Sequence, residues 1–107
     1  MIYNFMRLMV MFDLPVNDKV EVRKYNKFRK WLIKNGYIMM QYSIYCKVFN
    51  NRDACVNHIP MLKRNIPDKG QIKIMMITEK QFANIQTILG GVSLQEEFSN
   101  TNPFIKL

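Results

Sequence analysis

The stretch Arg7-Leu8-Met9-Val10-Met11-Phe12-Asp13-Leu14-Pro15 decides the fold of this 107-residue chain. Five apolar residues follow Arg7 and end at a single carboxylate, Asp13, two residues before a proline that cannot donate a ladder hydrogen bond. A short apolar run with such a boundary predicts a buried strand. Asp13 is therefore expected at the rim of a sheet, where loops begin and functional sites are often built. A helix cap or turn position is the alternative explanation for this carboxylate.

The charge balance is the second strong signal. Sixteen Lys and Arg residues oppose eight Asp and Glu residues, which gives a net charge of +8 and a pI near 9.7. This excess favours a polyanionic partner, with nucleic acid first and an anionic membrane surface second. No apolar run is long enough to span a bilayer, and residues 1–7 lack the pattern of a secretory signal. We expect a cytoplasmic, single-domain protein without a membrane partner.

An amphipathic helix is predicted after Pro15. Asp18 is a good N-cap, and Glu21 stands where a capping box places its acid. The helix should end at about Asn35, because Gly36 is a typical C-terminal stop. One apolar face repeats at helical spacing and consists of Tyr25, Phe28 and Leu32, with Trp31 on its edge.

The opposite face of this helix carries a stripe of cations, called here the cationic ridge: Lys19, Arg23, Lys27, Lys30 and Lys34. Their spacing of three or four residues aligns them along about four helical turns. Like charges at this spacing repel and cost helix stability. A solvated face is the alternative, but such faces normally mix charges of both signs. A ridge that contacts phosphates is the better explanation.

Residues 37–49 are rich in aromatic and β-branched types and predict strand structure. The stretch is long for one strand, so a bend near Gln41 and Ser43 would divide it into two. Tyr42 and Tyr45 could stack on bases or pack against the protein. For aromatic side chains on a strand, packing is the expectation.

A second helix is predicted from about Asp53 to Asn65, with one apolar face formed by Cys55, Ile59, Leu62 and Ile66. Pro60 should kink or interrupt it, because proline removes a donor and clashes with the preceding turn. His58 is expected at the helix surface and without a catalytic role. Cys46 and Cys55 lie in different elements and lack metal-ligand spacing, which predicts reduced packing residues.

The last elements are a strand, a short helix and a tail. Gln71 to Thr78 predicts a strand that is apolar on both faces toward its end, and so a central strand. The helix that opens at Glu79 should carry Phe82, Ile85 and Leu89 and close at Gly90-Gly91. Residues 1–90 would form the domain, and residues 91–107 a tail whose apolar end docks as a strand on a partner subunit.

This order of elements predicts an α+β fold of the ferredoxin-like βαββαβ type with an additional C-terminal strand. The helices would cover one face of an antiparallel sheet. The other face would be left for a second subunit or a ligand.

Asp13 is the carboxylate that the local structure explains least. The other acids fall at predicted caps, turns or helix starts, or in the tail: Asp18, Glu21, Asp53, Asp68, Glu79, Glu96 and Glu97. One carboxylate is a weak Mg²⁺ site, because magnesium usually takes one or two carboxylates with water and phosphate oxygens. A symmetric dimer would supply a second copy of Asp13 if the first strand ended near the two-fold axis.

Four ordered segments, MVMFDLP, RKYNKFRKWLIKNGY, MQYSIYCK and PDKGQIKIMMITEKQF, resemble the CRISPR-associated Cas2 family, in particular the version found with type II systems. The match covers about residues 5 to 90. It implies a ferredoxin-like homodimer in which C-terminal strands pack across the subunits. It also implies that Asp13 is the magnesium ligand, as the acid at the end of the first strand.

The resemblance implies two kinds of function. Family members have been described as metal-dependent endonucleases that act on RNA or double-stranded DNA, in which Asp13 would be catalytic. They also serve as scaffolds of spacer acquisition, in which the dimer bridges integrase dimers and holds double-stranded DNA. A toxin-type ribonuclease is a third alternative. Arg23 and Lys24 match basic family positions and are expected to contact phosphate, whereas Met39 stands where some members carry arginine.

The leading hypothesis is a DNA-binding protein of CRISPR adaptation. Its expected nucleic-acid-binding residues are Lys19, Arg23, Lys24, Lys27 and Lys30. The competing hypothesis is a Mg²⁺-dependent phosphodiesterase with Asp13 from both subunits.

Overall fold

The computed structural model describes residues 4–91 of the chain. In chain order, the elements are β1 (Met6–Asp13), α1 (Lys19–Lys34), β2 (Ile38–Gln41), β3 (Ile44–Phe49), α2 (Arg52–Lys63), β4 (Gln71–Thr78) and α3 (Glu79–Ala83). The four strands form one sheet in the order β2-β3-β1-β4, and each neighbouring pair is antiparallel. This arrangement confirms the predicted α+β fold of the βαββαβ type.

β1 is a central strand, and its alternating side chains divide the two faces of the sheet. Leu8, Val10 and Phe12 are buried beneath the helices, where the rings of Phe12 and Phe28 meet edge-on at 5.2 Å between centroids. Met9, Met11 and Asp13 belong to the other face, called here the open face, because successive strand residues point to opposite sides. The two long helices, α1 and α2, thus cover one side of the sheet, as predicted.

α1 begins and ends as the sequence predicts. The Asp18 carboxylate accepts a hydrogen bond from the Glu21 N–H at 2.8 Å. The Glu21 carboxylate accepts one from the Asn17 N–H at 2.8 Å, one residue before the position that a capping box uses. Gly36 has a φ of +90°, which ends the helix in the left-handed region that glycine adopts readily.

The predicted division of residues 37–49 is confirmed. Tyr42 and Ser43 connect β2 to β3, and Ser43 adopts a φ of +64°. No glycine marks this turn, since Ser43 takes the left-handed conformation itself. Packing is confirmed for Tyr45, which is 1% exposed and stacks on Phe12, but it is wrong for Tyr42, which is 76% exposed.

α2 differs from its prediction in two respects. Its N-cap is Asn51, whose side chain accepts from the Ala54 N–H. The first difference is at Pro60, where an interruption is expected and the helix is continuous. The surface position expected for His58 is wrong, because its side chain is 8% exposed and its Nε2 lies 2.7 Å from the Tyr37 hydroxyl. Both cysteines are free and buried, as predicted.

β4 has the predicted bounds but lies at the edge of the sheet, so its predicted central position is wrong. Ile74 and Met75 are consequently partly exposed in this chain. α3 is also shorter than predicted and ends at Ala83, with Ile85 and Leu89 exposed. The predicted docking strand in residues 91–107 falls almost wholly outside the described residues. Among the described residues, no helix has the length and apolarity needed to cross a membrane.

Candidate functional site

Asp13 is exposed at the end of β1, between the start of β4 and the β2–β3 turn. On one side it pairs in register with Gln71. On the other side, the Phe12 N–H donates to the Ser43 carbonyl oxygen at 3.0 Å, so Asp13 and Tyr42 are each one residue beyond this bond. The structure therefore places the exposed Asp13 carboxylate at a strand end next to the β2–β3 turn that carries the exposed Tyr42.

Gly70 supports the backbone of this site. It has a φ of +103°, and a β-carbon built on it would lie 2.7 Å from the Asp13 carbonyl oxygen. The same β-carbon would lie 2.7 Å from Leu14 Cδ2. The loop before β4 thus approaches the end of β1 more closely than a side chain would allow. The sequence marks Gly70 as a turn residue, but it does not reveal this contact with Asp13.

The open face adds a cation near Asp13. Lys73 is exposed and pairs with Met11, two residues before Asp13 on the same strand and the same face. Asp13, Tyr42, Gln71 and Lys73 are called here the Asp13 corner. The Asp13 carboxylate could bind a cation, and the Lys73 ammonium could bind a phosphate. This pair of groups suits a phosphodiester ligand.

One chain supplies one carboxylate to a metal at this corner. Among residues 4–91, no group of three or more His, Cys, Asp or Glu side chains could hold a metal ion. Magnesium binds through few protein carboxylates and completes its octahedron with water and phosphate oxygens. The exposed Asp13 carboxylate fits such a site if a second carboxylate or the substrate supplies further oxygens.

All five residues of the cationic ridge are exposed on α1: Lys19, Arg23, Lys27, Lys30 and Lys34. Within the described part of the chain, none of them has a carboxylate within salt-bridge distance. Glu21 is the one acid of α1, and it is committed to the N-terminal cap. The ridge is therefore a linear array of cations without internal neutralisation.

Lys24 belongs to a different part of α1. Its ammonium donates to the Asp68 carboxylate at 2.9 Å, in the loop before β4. This hydrogen bond is the main reason that the pKa of Asp68 is lowered. A phosphate contact of Lys24 would compete with this ion pair, whereas the ridge residues have no such competitor in the described chain.

A second charged cluster lies at the opposite end of β1. The Arg7 guanidinium donates to Glu79, with Nη2 and Oε1 3.1 Å apart, and lies 3.7 Å from the centroid of the Phe82 ring. Both partners belong to α3, so the cluster fastens this short helix to the sheet. The sequence assigned Glu79 only to a helix start and did not reveal its pairing with Arg7.

The ridge and the Asp13 corner lie on opposite sides of the sheet. Phe28 and Leu32 turn one face of α1 toward the sheet, and the ridge occupies the opposite face of the helix. Asp13 belongs to the open face, which the two long helices do not cover. The two candidate sites are thus separate surfaces of the same small domain.

A family model described as CRISPR associated protein Cas2 matches residues 6–85. The relatives of this chain include proteins named CRISPR-associated endoribonuclease Cas2. The protein from Acidovorax ebreus is 40% identical over 95 residues, covering 89% of this chain and 93% of the relative. That from Treponema denticola is 40% identical and covers 91% and 94%. That from Streptococcus mutans UA159 is 45% identical and covers 75% and 73%.

A solved structure titled "Crystal structure of cas2" has the same fold. Its TM-score is 0.54 at 20% sequence identity, with 81% of this chain and 87% of that chain covered. At this identity, the match supports the topology of the sheet and helices and carries no information on function.

Proposed function

This chain belongs to the CRISPR-associated Cas2 family, and from that premise we propose that it is a cytoplasmic scaffold of CRISPR spacer acquisition. In this role a homodimer binds double-stranded DNA and bridges integrase dimers. The observation that carries the proposal is the cationic ridge, whose five exposed cations have no carboxylate partner in the described chain. Such an array suits a phosphate backbone and reads no sequence.

Binding through the ridge would depend strongly on salt. Each neutralised phosphate contributes about −0.9 to the slope of log affinity against log salt concentration. Five phosphate contacts would therefore give a slope of about −4.5 for each protomer that engages the duplex. Lys24 would add less than a ridge residue, because contact with DNA would cost it the ion pair with Asp68.

The test is neutralisation of three ridge residues, Lys19→Gln, Arg23→Gln and Lys27→Gln, in one variant. We expect duplex affinity to fall and the magnitude of the salt slope to decrease by about three. A matched variant neutralises three exposed cations off the ridge: Arg52, Lys63 and Lys80. Equal losses in the two variants would show that net charge, and not the ridge, drives binding. Copurification of the wild-type chain with the integrase subunit and a short duplex tests the scaffold itself.

We propose a second function, Mg²⁺-dependent cleavage of RNA at the Asp13 corner. The relatives' names support it, as does the exposure of Asp13 on a rigid strand end. Asp13 would hold the ion, and its copy in the partner subunit would supply the second carboxylate. When bound, Mg²⁺ would offset phosphate charge and provide an activated water. Lys73 would hold a phosphate oxygen of the bound strand.

Asp13→Asn tests this second function. We expect RNA cleavage to be lost, while duplex DNA binding and its salt slope stay as in the wild type, because the ridge lies on the other side of the sheet. Retained cleavage by Asp13→Asn would contradict the assignment of Asp13. Lost duplex binding would contradict the separation of the two surfaces.

The homodimer is proposed to form on the open face and along its β4 edge. Ile38, Val48 and Met75 are 53%, 43% and 49% exposed on strands of this face, and a group of exposed apolar residues on one surface is typical of an interface. We expect Met75→Asp to produce monomers in light scattering. Val22→Asp, an equally apolar exposed position on α1, is the control and should leave the dimer intact.

A further inference from the structure

We propose that Tyr42 is a base-stacking residue that holds an unpaired nucleobase of single-stranded RNA beside Asp13. This inference rests on the proposed RNA cleavage and deepens it. Tyr42 is the most exposed aromatic residue among those described, at 76%. Its ring is therefore not part of the core that its neighbour Tyr45 joins.

The position of Tyr42 is set by rigid structure on both sides. It begins a two-residue turn between Gln41 and Ile44, which are partners in the β2–β3 register. Ser43 fixes the turn with its φ of +64°, and its carbonyl oxygen accepts from the Phe12 N–H. Residues anchored on strands hold a ligand with more precision than residues of long loops. Tyr42 is thus held one residue beyond the bond that also places Asp13.

The chemistry of the Asp13 corner favours a single strand over a duplex. A base can stack on a tyrosine ring only when it is unpaired and turned out of a helix. Stacking tolerates any base, because each has an aromatic face. Lys73 would hold the backbone of the same strand, on the face that carries Asp13. The corner therefore offers a ring for a base and a cation for a phosphate next to the acid.

The test uses the 107-residue chain and a short single-stranded RNA with one 2-aminopurine, without divalent cations so that the RNA stays intact. We expect Tyr42→Ala to weaken binding by roughly 5- to 150-fold, the range that one stacked base contributes, and to remove the quenching of 2-aminopurine fluorescence. Tyr42→Phe should preserve both. Val56→Ala, at an exposed position on α2, is the control for truncation of a surface side chain.

Three outcomes would overturn the inference: wild-type affinity in Tyr42→Ala, equal losses in Tyr42→Ala and Tyr42→Phe, or dissociation of Tyr42→Ala into monomers. The last would make Tyr42 an interface residue. Failure of the inference is distinguishable from failure of the proposed function. If Tyr42→Ala binds as the wild type while Asp13→Asn still abolishes cleavage, stacking alone is refuted. If the wild type neither binds nor cleaves the RNA, both are refuted.

Discussion

Replacing Gly70 with alanine should displace the backbone of the Asp13 corner, although Gly70 is far from Asp13 in the sequence. At φ +103° any residue with a β-carbon is strained, and the new methyl group would lie 2.7 Å from both the Asp13 carbonyl oxygen and Leu14 Cδ2. A backbone oxygen cannot rotate away as the end of a long side chain can. The segment after β1, the loop before β4, or both must therefore move.

The expected decrease in the free energy of unfolding has two parts. A residue held in this backbone region costs about 1–3 kcal/mol, and forcing atoms into an occupied space costs about 1–3 kcal/mol more. Gly90→Ala separates them, because Gly90 has a φ of +106° and the structure places nothing within 4 Å of its added β-carbon. We expect Gly70→Ala to cost about 2–6 kcal/mol and Gly90→Ala to cost only the backbone part.

Urea unfolding at equal protomer concentration measures both variants, since the stability of the proposed dimer would depend on its concentration. Thermal midpoints should fall by at least about 8 °C for Gly70→Ala. RNA cleavage should fall as well, because Asp13 moves with its backbone. If the two variants differ by less than about 0.5 kcal/mol, the scatter expected of surface substitutions, then the close approach of Gly70 to Asp13 does not constrain the site.

Two further predictions concern buried and paired charges. Burial and the charge of Lys47 lower the pKa of His58, so the unfolded chain binds more protons than the folded chain below the ordinary pKa of about 6.5. The free energy of unfolding should therefore fall as the pH is lowered from 6.5 toward 5, by up to about 1.4 kcal/mol per pH unit. His58→Gln should make the free energy of unfolding less dependent on pH, as measured by chemical denaturation. Asp68→Asn should free the Lys24 ammonium, and we expect duplex affinity to rise by a few fold in a salt titration if Lys24 contacts phosphate.

The elements whose patterns are local were predicted well. β1 combines an apolar run with a proline boundary, and α1 combines a cap, an apolar face and a glycine stop, so each carries its own start, direction and end in the sequence. The division of residues 37–49 followed from the length of the stretch and from the polar residues Gln41 and Ser43 at its middle. Its physical basis, the left-handed Ser43, could not be predicted because serine rarely adopts that conformation.

The wrong predictions concern features that depend on residues far away in the sequence. β4 looked central because it is apolar on both faces, but the composition of one strand does not determine its place in the sheet order. His58 looked like a surface residue because its partner, the Tyr37 hydroxyl, is 21 residues away in sequence. α2 is continuous through Pro60, so of the predicted kink or interruption the structure contradicts the interruption. For β4 and His58, the position in the fold depends on residues distant in sequence, which a single stretch does not reveal.

Asp13 and the ridge residues were proposed as site residues from the sequence, but their relative placement could be seen only in the fold. Asp13 ends a strand on the open face, while the ridge lies on the outer side of α1, beyond the buried layer that contains Phe28. A duplex held along the ridge therefore does not reach Asp13 of the same chain without passing the edge of the sheet. Duplex binding and strand cleavage would use different surfaces, and losing one need not impair the other. This separation makes Asp13→Asn and the ridge variant independent tests of the two proposed functions.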